Sequence, residues 1–322
     1  MAVTLYSSTD TGAPTLTNQP GNIVAILDAC LVNGYGSQVA AGWTTAYTGT
    51  SQRTYQAASG NKMYLNIDDS QATNWYSRGF ATMTAWNTGT GAFPTTTQAS
   101  GNGTAYSRGN STTVDREWWV IATPTFFYFI WDYTELTWST GSVLYGFYFG
   151  DFPSYKASDP YSSLIAGGSL QQYIFATSNP GTSTSYSSYF SGYIARKYDG
   201  ISISSPFILS PVCGYLLAGA GGGQQIGNPG SYFAYPETVT SSLLVSPFYI
   251  MEWTGSNPAL RGWMPGLYGP ASKQPLNQGD TFTGVSGSNL AGKTFQVFNY
   301  INGSVGQIFL ETSDTWLSTM WQ

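Results

Sequence analysis

The stretch 117–153, EWWVIATPTFFYFIWDYTELTWSTGSVLYGFYFGDFP, constrains this chain more than any other. It breaks into three apolar runs, 118–123, 126–131 and 143–149. Pro124-Thr125 separates the first two, the polar connector 132–142 separates the last two, and Gly150-Asp151 closes the third. Each run has the length of a strand and is dense in aromatic and β-branched residues. Pro124 and the glycines at 141, 146 and 150 argue against a buried helix of more than about two turns. Strict alternation is lost in WWVIA and FFYFIW, so burial on both faces is expected. The reading is three antiparallel strands forming a core.

Further strand signals lie on both sides. Runs 53–57 and 62–68 flank Ala58-Ser59-Gly60-Asn61, a four-residue hairpin connection. Met63, Leu65 and Ile67 alternate with Lys62, Asn66 and Asp68, the pattern of a half-buried strand. Run 78–86 alternates less cleanly, and 95–113 reads as a loop or weak strand pair. Runs 193–198 and 201–209 read as a hairpin around Asp199-Gly200, and 212–218 leads into the glycine-rich loop 219–230. Run 245–253 is a strong strand, and 281–283, 293–300 and 306–312 form a last β block, with Asn302-Gly303 near a tight turn. The best helix candidate is 22–33: Asn22 stands as its cap, 23–32 is almost wholly apolar, and Asn33-Gly34 ends it. Ser158-Asp159-Pro160 reads as the first turn of a short helical segment.

The expected class is therefore mostly β: antiparallel sandwich or barrel-like sheets, long Gly/Ser/Thr-rich loops, and one or two short helices. No fixed-period repeat is present, which disfavours a propeller or solenoid. The low-complexity loop 177–190 divides an N-terminal β-rich lobe (1–176, with helix 22–33 and the aromatic strand core 117–150) from a C-terminal β-rich lobe (191–322).

Composition narrows the chemistry. Only 8% of residues are charged, against roughly 25% in an average soluble protein. The polarity comes from Gly, Ser, Thr, Asn and Gln, a surface with little charge repulsion between copies. A net charge of −5 with 11 Lys and Arg disfavours binding to a phosphate backbone. No apolar run reaches membrane-spanning length, and MAVTLYSSTD lacks the basic and apolar regions of a secretory leader. The two cysteines, Cys30 and Cys213, are read as separate buried thiols.

The chain has no histidine. That removes Ser-His-Asp and Cys-His nucleophile systems, histidine-ligated zinc, and the usual general base. Gly219, Gly221, Gly222 and Gly223 follow an apolar run but lack both the GxGxxG order and a P-loop lysine, so a turned loop is the better reading. Asp68-Asp69 stands without the spacing of a calcium loop and reads as a solvated strand end. Glu117, Asp132, Glu135, Asp151 and Glu252 lie in or beside aromatic strands, where a pair could serve glycoside hydrolysis with Trp and Tyr as sugar platforms. Most of those aromatics are needed for the core. No catalytic residue, cofactor or metal site is expected. Arg196, Lys197 and Arg261 sit in or next to strands and are read as partners of carboxylates, within the chain or across subunits.

Both ends of the sequence carry a family resemblance. The opening MAVTLYSSTDTGAPTLTNQPGNIVAILDACLVNGYGSQVAAGWTTAYTGT is similar to the start of a group of tailed-bacteriophage virion proteins. RGWMPGLYGP (261–270), GDTFTGVSGSNLAGKTFQVFNY (279–300) and FLETSDTW (309–316) resemble the C-terminal part of the same group. The resemblance implies a non-enzymatic structural component of the virion, assembled in the host cytoplasm as a homo-oligomer. Its partners would be other copies of itself and other virion proteins, with neither nucleic acid nor membrane among them. The tail or its tip and baseplate complex is the favoured place; a capsid decoration or cement protein is the alternative. A receptor-binding, glycan-binding or glycan-degrading tail module is the rival from another class.

Overall fold

The structure, a computed structural model, describes residues 3–99, 101–109, 113–133, 144–169, 191–201, 207–209, 245–254, 257–270, 274–301 and 305–313. They are mostly β, arranged as antiparallel sheets. A six-stranded sheet runs in the order Thr4–Ser7, Trp118–Ala122, Phe126–Asp132, Leu144–Asp151, Ser163–Ser169, Ser191–Ile194. The aromatic stretch supplies three successive antiparallel strands in the interior of this sheet. Phe127 faces Ala122 on one side and Phe149 on the other.

This sheet is the middle layer of three. On one face Trp118, Val120, Phe127, Phe129, Trp131 and Phe147 pack against Tyr55, Leu65, Ile67, Trp75 and Tyr106. Those residues belong to a five-stranded sheet ordered Thr44–Gly49, Gln52–Gln56, Tyr64–Asp68, Asn74–Phe80, Thr104–Ser107. On the other face Trp119, Ile121, Tyr128, Ile130, Tyr148 and Leu164 pack against Phe248, Ile250, Met264, Leu267, Phe298 and Ile308. These come from a second six-stranded sheet ordered Phe207–Leu209, Val245–Thr254, Asn257–Pro270, Val305–Glu311, Thr294–Ile301, Thr281–Thr283. Alternation vanishes in WWVIA and FFYFIW because odd and even side chains each find an apolar layer. Polar tethers also cross between layers: the Tyr128 hydroxyl donates to the Pro265 carbonyl at 2.8 Å on one side, and Trp131 Nε1 to the Ser107 carbonyl at 3.3 Å on the other.

Edge-to-face and tilted ring pairs fill the first interface. Trp75 lies 5.1 Å from Phe147 and 5.8 Å from Trp131 between centroids, geometries that add about 0.5–1.5 kcal/mol beyond area burial. Gly150, near the end of the strand Leu144–Asp151, must be glycine. Its φ is 133° and an added Cβ would stand 2.3 Å from Phe126 Cα, a conformation and a space closed to other residues.

Several details differ from expectation. The α-helix is only Asn22–Leu27 and passes into a π-helical turn, Asp28–Asn33. Asn22 does not cap it: its Oδ1 accepts instead from Thr17 N and Oγ1, at 3.0 and 2.7 Å. The cap comes from far along the chain, where Asp69 Oδ2 accepts from Ile23 N at 2.8 Å and Val24 N at 3.4 Å. Strands Gln52–Gln56 and Tyr64–Asp68 do form the expected hairpin. Yet Asn66 and Asp68 are buried along with Leu65 and Ile67. Run 78–86 splits into the end of Asn74–Phe80 and a separate strand, Thr82–Ala85, paired with Thr88–Thr90.

The expected hairpin of 193–198 with 201–209 is not seen among the described residues, which leave out 202–206. Ser191–Ile194 pairs with the middle sheet and Phe207–Leu209 with the outer one, so the Asp199-Gly200 turn carries the chain between layers. Ser158-Asp159-Pro160 is irregular rather than helical. The last β block forms as expected, with Thr281–Thr283, Thr294–Ile301 and Val305–Glu311 in antiparallel pairs. Loop 177–190 joins two neighbouring strands of the middle sheet and itself lies outside the described residues, as do 134–143, 212–218, 219–230 and Asn302-Gly303.

Candidate functional site

Although the chain carries few charges, several of them are buried in ion pairs instead of facing water. Arg108 Nε meets Asp69 Oδ1 at 2.5 Å with both side chains fully buried, and Lys293 meets Glu311 at 3.0 Å. Burial of an ion is costly unless it is paired and hydrogen-bonded. Arg108 meets that condition: it also donates to Ala72 O at 3.1 Å and to the carbonyl of Gln71.

The third cluster lies where the layers meet at one end. Four segments converge there: the loop 152–162 after a middle-sheet strand, the turn 195–201, and the outer strands Val245–Thr254 and Asn257–Pro270. Arg261, on the last of these, is their pivot. Its Nε donates to Asp159 Oδ2 at 2.8 Å, its Nη2 lies 2.6 Å from the same oxygen, and Nη1 lies 2.9 Å from Glu252 Oε1. Ser154 Oγ donates to Asp159 Oδ2 at 2.8 Å. Tyr198 N donates to Glu252 Oε1 at 2.9 Å, and Lys156 Nζ donates to the Tyr198 carbonyl. The backbone is stitched as well, with Tyr155 N donating to Arg261 O at 2.9 Å and Trp263 N to Pro153 O at 3.2 Å.

On this rigid frame sit apolar side chains facing water. Ile201 is 82% exposed, Tyr155 49%, Leu260 48% and Tyr198 47%. The Tyr155 ring is tilted against Trp263 with centroids 5.1 Å apart. Beside them is a shallow, open depression walled by Gly91, Thr95, Thr97, Gln98, Arg196 and Ile201. Arg196 makes no ion pair among the described residues; its Nη1 donates to its neighbour's carbonyl, Ala195 O, at 2.6 Å.

The structure thus separates the three cations singled out in the sequence. Arg261 is paired within the chain, to two carboxylates. Arg196 has no described carboxylate in reach, and Lys197 is half-buried without an ion pair among the described residues.

Asp68-Asp69 is not a solvated strand end. Asp69 is held by Arg108 and the helix, while Asp68 accepts from Ser70 Oγ at 2.6 Å and from Asn102 Nδ2. Desolvation raises the Asp69 pKa, opposed by the Arg108 charge. Among the described residues there is no cluster of three or more His, Cys, Asp or Glu side chains able to hold a metal.

The carboxylates beside aromatic strands do not converge on a cleft. Glu252 is locked by Arg261. Asp151 accepts from Asn61 N at 2.7 Å and Ser163 Oγ at 2.5 Å, tying a hairpin turn to the middle sheet. Burial pushes its pKa up to about 6 against the pull of those hydrogen bonds. Asp132 is buried at a strand end and Glu117 is half-buried. Glu135, Gly219, Gly221, Gly222, Gly223 and Cys213 lie outside the described residues. Cys30 is a buried free thiol, its pKa raised by burial.

Sequence reasoning missed Asp159 and the exposed quartet. Asp159 was hidden in a Ser-Asp-Pro segment read as a helix start. Tyr155, Tyr198 and Ile201 each stand in polar, turn-rich stretches, and an apolar residue isolated in such a stretch is a usable signal of an exposed contact. No protein-family model matches the chain, and no curated protein aligns with it. Among the described residues no helix is long and apolar enough to cross a membrane.

Proposed function

We propose that this chain is a non-enzymatic structural protein of a tailed-phage virion, acting by oligomeric assembly and placed in the tail or its tip and baseplate complex. The observation that carries the reading is the disposition of its aromatics and acids. The large rings Trp75, Trp118 and Trp131 are fully buried between layers. Near the exposed tyrosines, Asp159 and Glu252 are buried and share the Arg261 guanidinium, and Asp199, beside Tyr198, is exposed and accepts from Ile201 N at 2.9 Å. A glycan-cleaving site needs the opposite arrangement, with rings on the surface around two available carboxyl groups. A rigid, weakly charged body with apolar side chains presented on one end suits packing against neighbours.

The resemblance of both ends of the sequence to virion proteins supplies the particle. Mass spectrometry of gradient-purified particles tests the reading: the chain is expected as a stoichiometric component, and its absence contradicts the proposal. Capsid decoration remains the second placement. A glycan-binding tail module draws support from Tyr155 and Tyr198, which present partly exposed rings.

A further inference from the structure

Tyr55, Leu65 and Ile67 of the five-stranded sheet face the middle sheet, so Thr54, Asn66 and Asp68 beside them point the other way. Asn66 stands directly opposite Thr54 on one neighbouring strand and Arg78 on the other, which puts Arg78 on the same outward face. These four polar side chains are nevertheless at most 2% exposed. The segment 81–103, with the strand pair Thr82–Ala85 and Thr88–Thr90, folds over them. Arg78 Nη2 donates to Ala99 O at 2.6 Å, Asn87 N to Asn66 Oδ1 at 3.4 Å, and Asn102 Nδ2 to Asp68.

The neighbours fix how each amide is turned. Asn102 gives its Nδ2 to the Asp68 carboxylate, so its Oδ1 accepts from Asn87 Nδ2 at 2.9 Å, and Asn87 Oδ1 is left over. Asn87 N can only donate. Asn66 therefore turns Oδ1 toward it and toward Thr54 Oγ1, 2.9 Å away, which leaves Nδ2 over on the Arg78 side. Asn66 Nδ2, Arg78 Nε and Asn87 Oδ1 are all buried without a hydrogen-bond partner among the described residues. Neighbouring buried polar atoms are seldom left so, because each has given up its bonds to bulk water.

We infer that this site binds one ordered water as a structural ligand, which accepts from Asn66 Nδ2 and Arg78 Nε and donates to Asn87 Oδ1. The protein atoms select it. A halide or carboxylate suits the two donors but would face Asn87 Oδ1 and the Asp68 carboxylate. A metal cation suits Asn87 Oδ1 but would face the guanidinium. Water accepts and donates from one small body, and buried waters make about three such bonds. Its task is to pin Asn87, and with it the segment 81–103, onto the sheet. Gly91, Thr95, Thr97 and Gln98 of that segment wall the depression beside Arg196, so the water holds one side of that depression in place.

A crystal structure of the full chain that shows ordered solvent tests it, paired with water magnetic relaxation dispersion in solution. A solvent peak is expected within about 3.2 Å of all three atoms, unchanged and without anomalous signal after a bromide soak. In solution, Asn87→Gly removes the acceptor and keeps a residue suited to the positive φ of 51° at this position. The contribution of long-lived buried water is expected to fall by a single molecule in that variant. Amide exchange over 82–102 should quicken roughly fivefold or more, the equivalent of about one buried hydrogen bond, while exchange in Phe126–Asp132 stays as in wild type. A bromide peak at the site overturns the inference. So does a direct bond from Asn66 Nδ2 or Arg78 Nε to Asn87 Oδ1 with no solvent between them, or an unchanged buried-water contribution in Asn87→Gly.

Discussion

Asp69 joins two parts of the fold with one carboxylate: Oδ1 accepts from the buried Arg108 guanidinium at 2.5 Å, and Oδ2 accepts from Ile23 N at 2.8 Å. The short helix Asn22–Leu27 owes its start to this residue, because Gly21 before it has no side chain to offer.

Asp69→Ala therefore removes a helix cap and leaves Arg108 buried without its ion partner. Such losses cost about 3–5 kcal/mol for the pair and about 1 kcal/mol for the cap. Urea unfolding of the purified chain is expected to show a correspondingly lower midpoint. An Asp69→Leu/Arg108→Met double variant should be less destabilised than the sum of its single changes, since neither charge is then left alone.

Asp151 makes stability depend on pH. Its folded pKa, raised to about 6, lies above its ordinary 3.8. The native state then holds the proton more tightly than the unfolded chain between those values. This contribution is fully present below about pH 3.8 and is lost as pH rises through 6, amounting to at most ~3 kcal/mol. Asp69, also shifted upward, acts in the same direction. Unfolding free energies measured from pH 4 to 7 should fall less steeply for Asp151→Asn than for wild type.

Because both outer sheets pack on opposite faces of one middle sheet, damage to either interface should be felt by the whole. Trp75→Ala opens the first interface and Phe298→Ala the second, each at a cost of about 3–5 kcal/mol. Calorimetry is expected to show one transition in wild type and one, at lower temperature, in each variant. Separate transitions, only one of them moving, would mean that the layers unfold independently.

Arg261→Ala should loosen the exposed end more than the core. Asp159 and Glu252 lose their common cation, and the segments 152–162 and 195–201 lose their pivot. Limited proteolysis is expected to cut those segments faster than in wild type, while cutting in the hairpin of Gln52–Gln56 and Tyr64–Asp68 is unchanged.

Much of this architecture was legible in the sequence where local pattern and burial agree. The runs around Trp118, Phe126 and Phe147 announced both their strand character and their two-sided burial, because loss of alternation has that direct physical cause. The last β block and the hairpin about Gly60-Asn61 were equally plain. What failed was whatever depends on distant partners. Asn22 is a good capping residue by type, but Asp69 reaches the helix from another strand. Asp68 and Asn66 look solvated by type, yet both are buried. The Asp199-Gly200 turn looks like a hairpin, but its flanks join different sheets. The pairing of Arg261 with Asp159, 102 residues away in sequence, follows from the layered arrangement and from no local signal.

Antibody labelling of intact phage particles, read by electron microscopy, tests the central claim most directly. Label on the tail, concentrated toward its tip, is the result this account predicts. Label over the head would contradict the tail placement in favour of capsid decoration, and particles that neither bind the antibody nor contain the chain would contradict the structural role altogether.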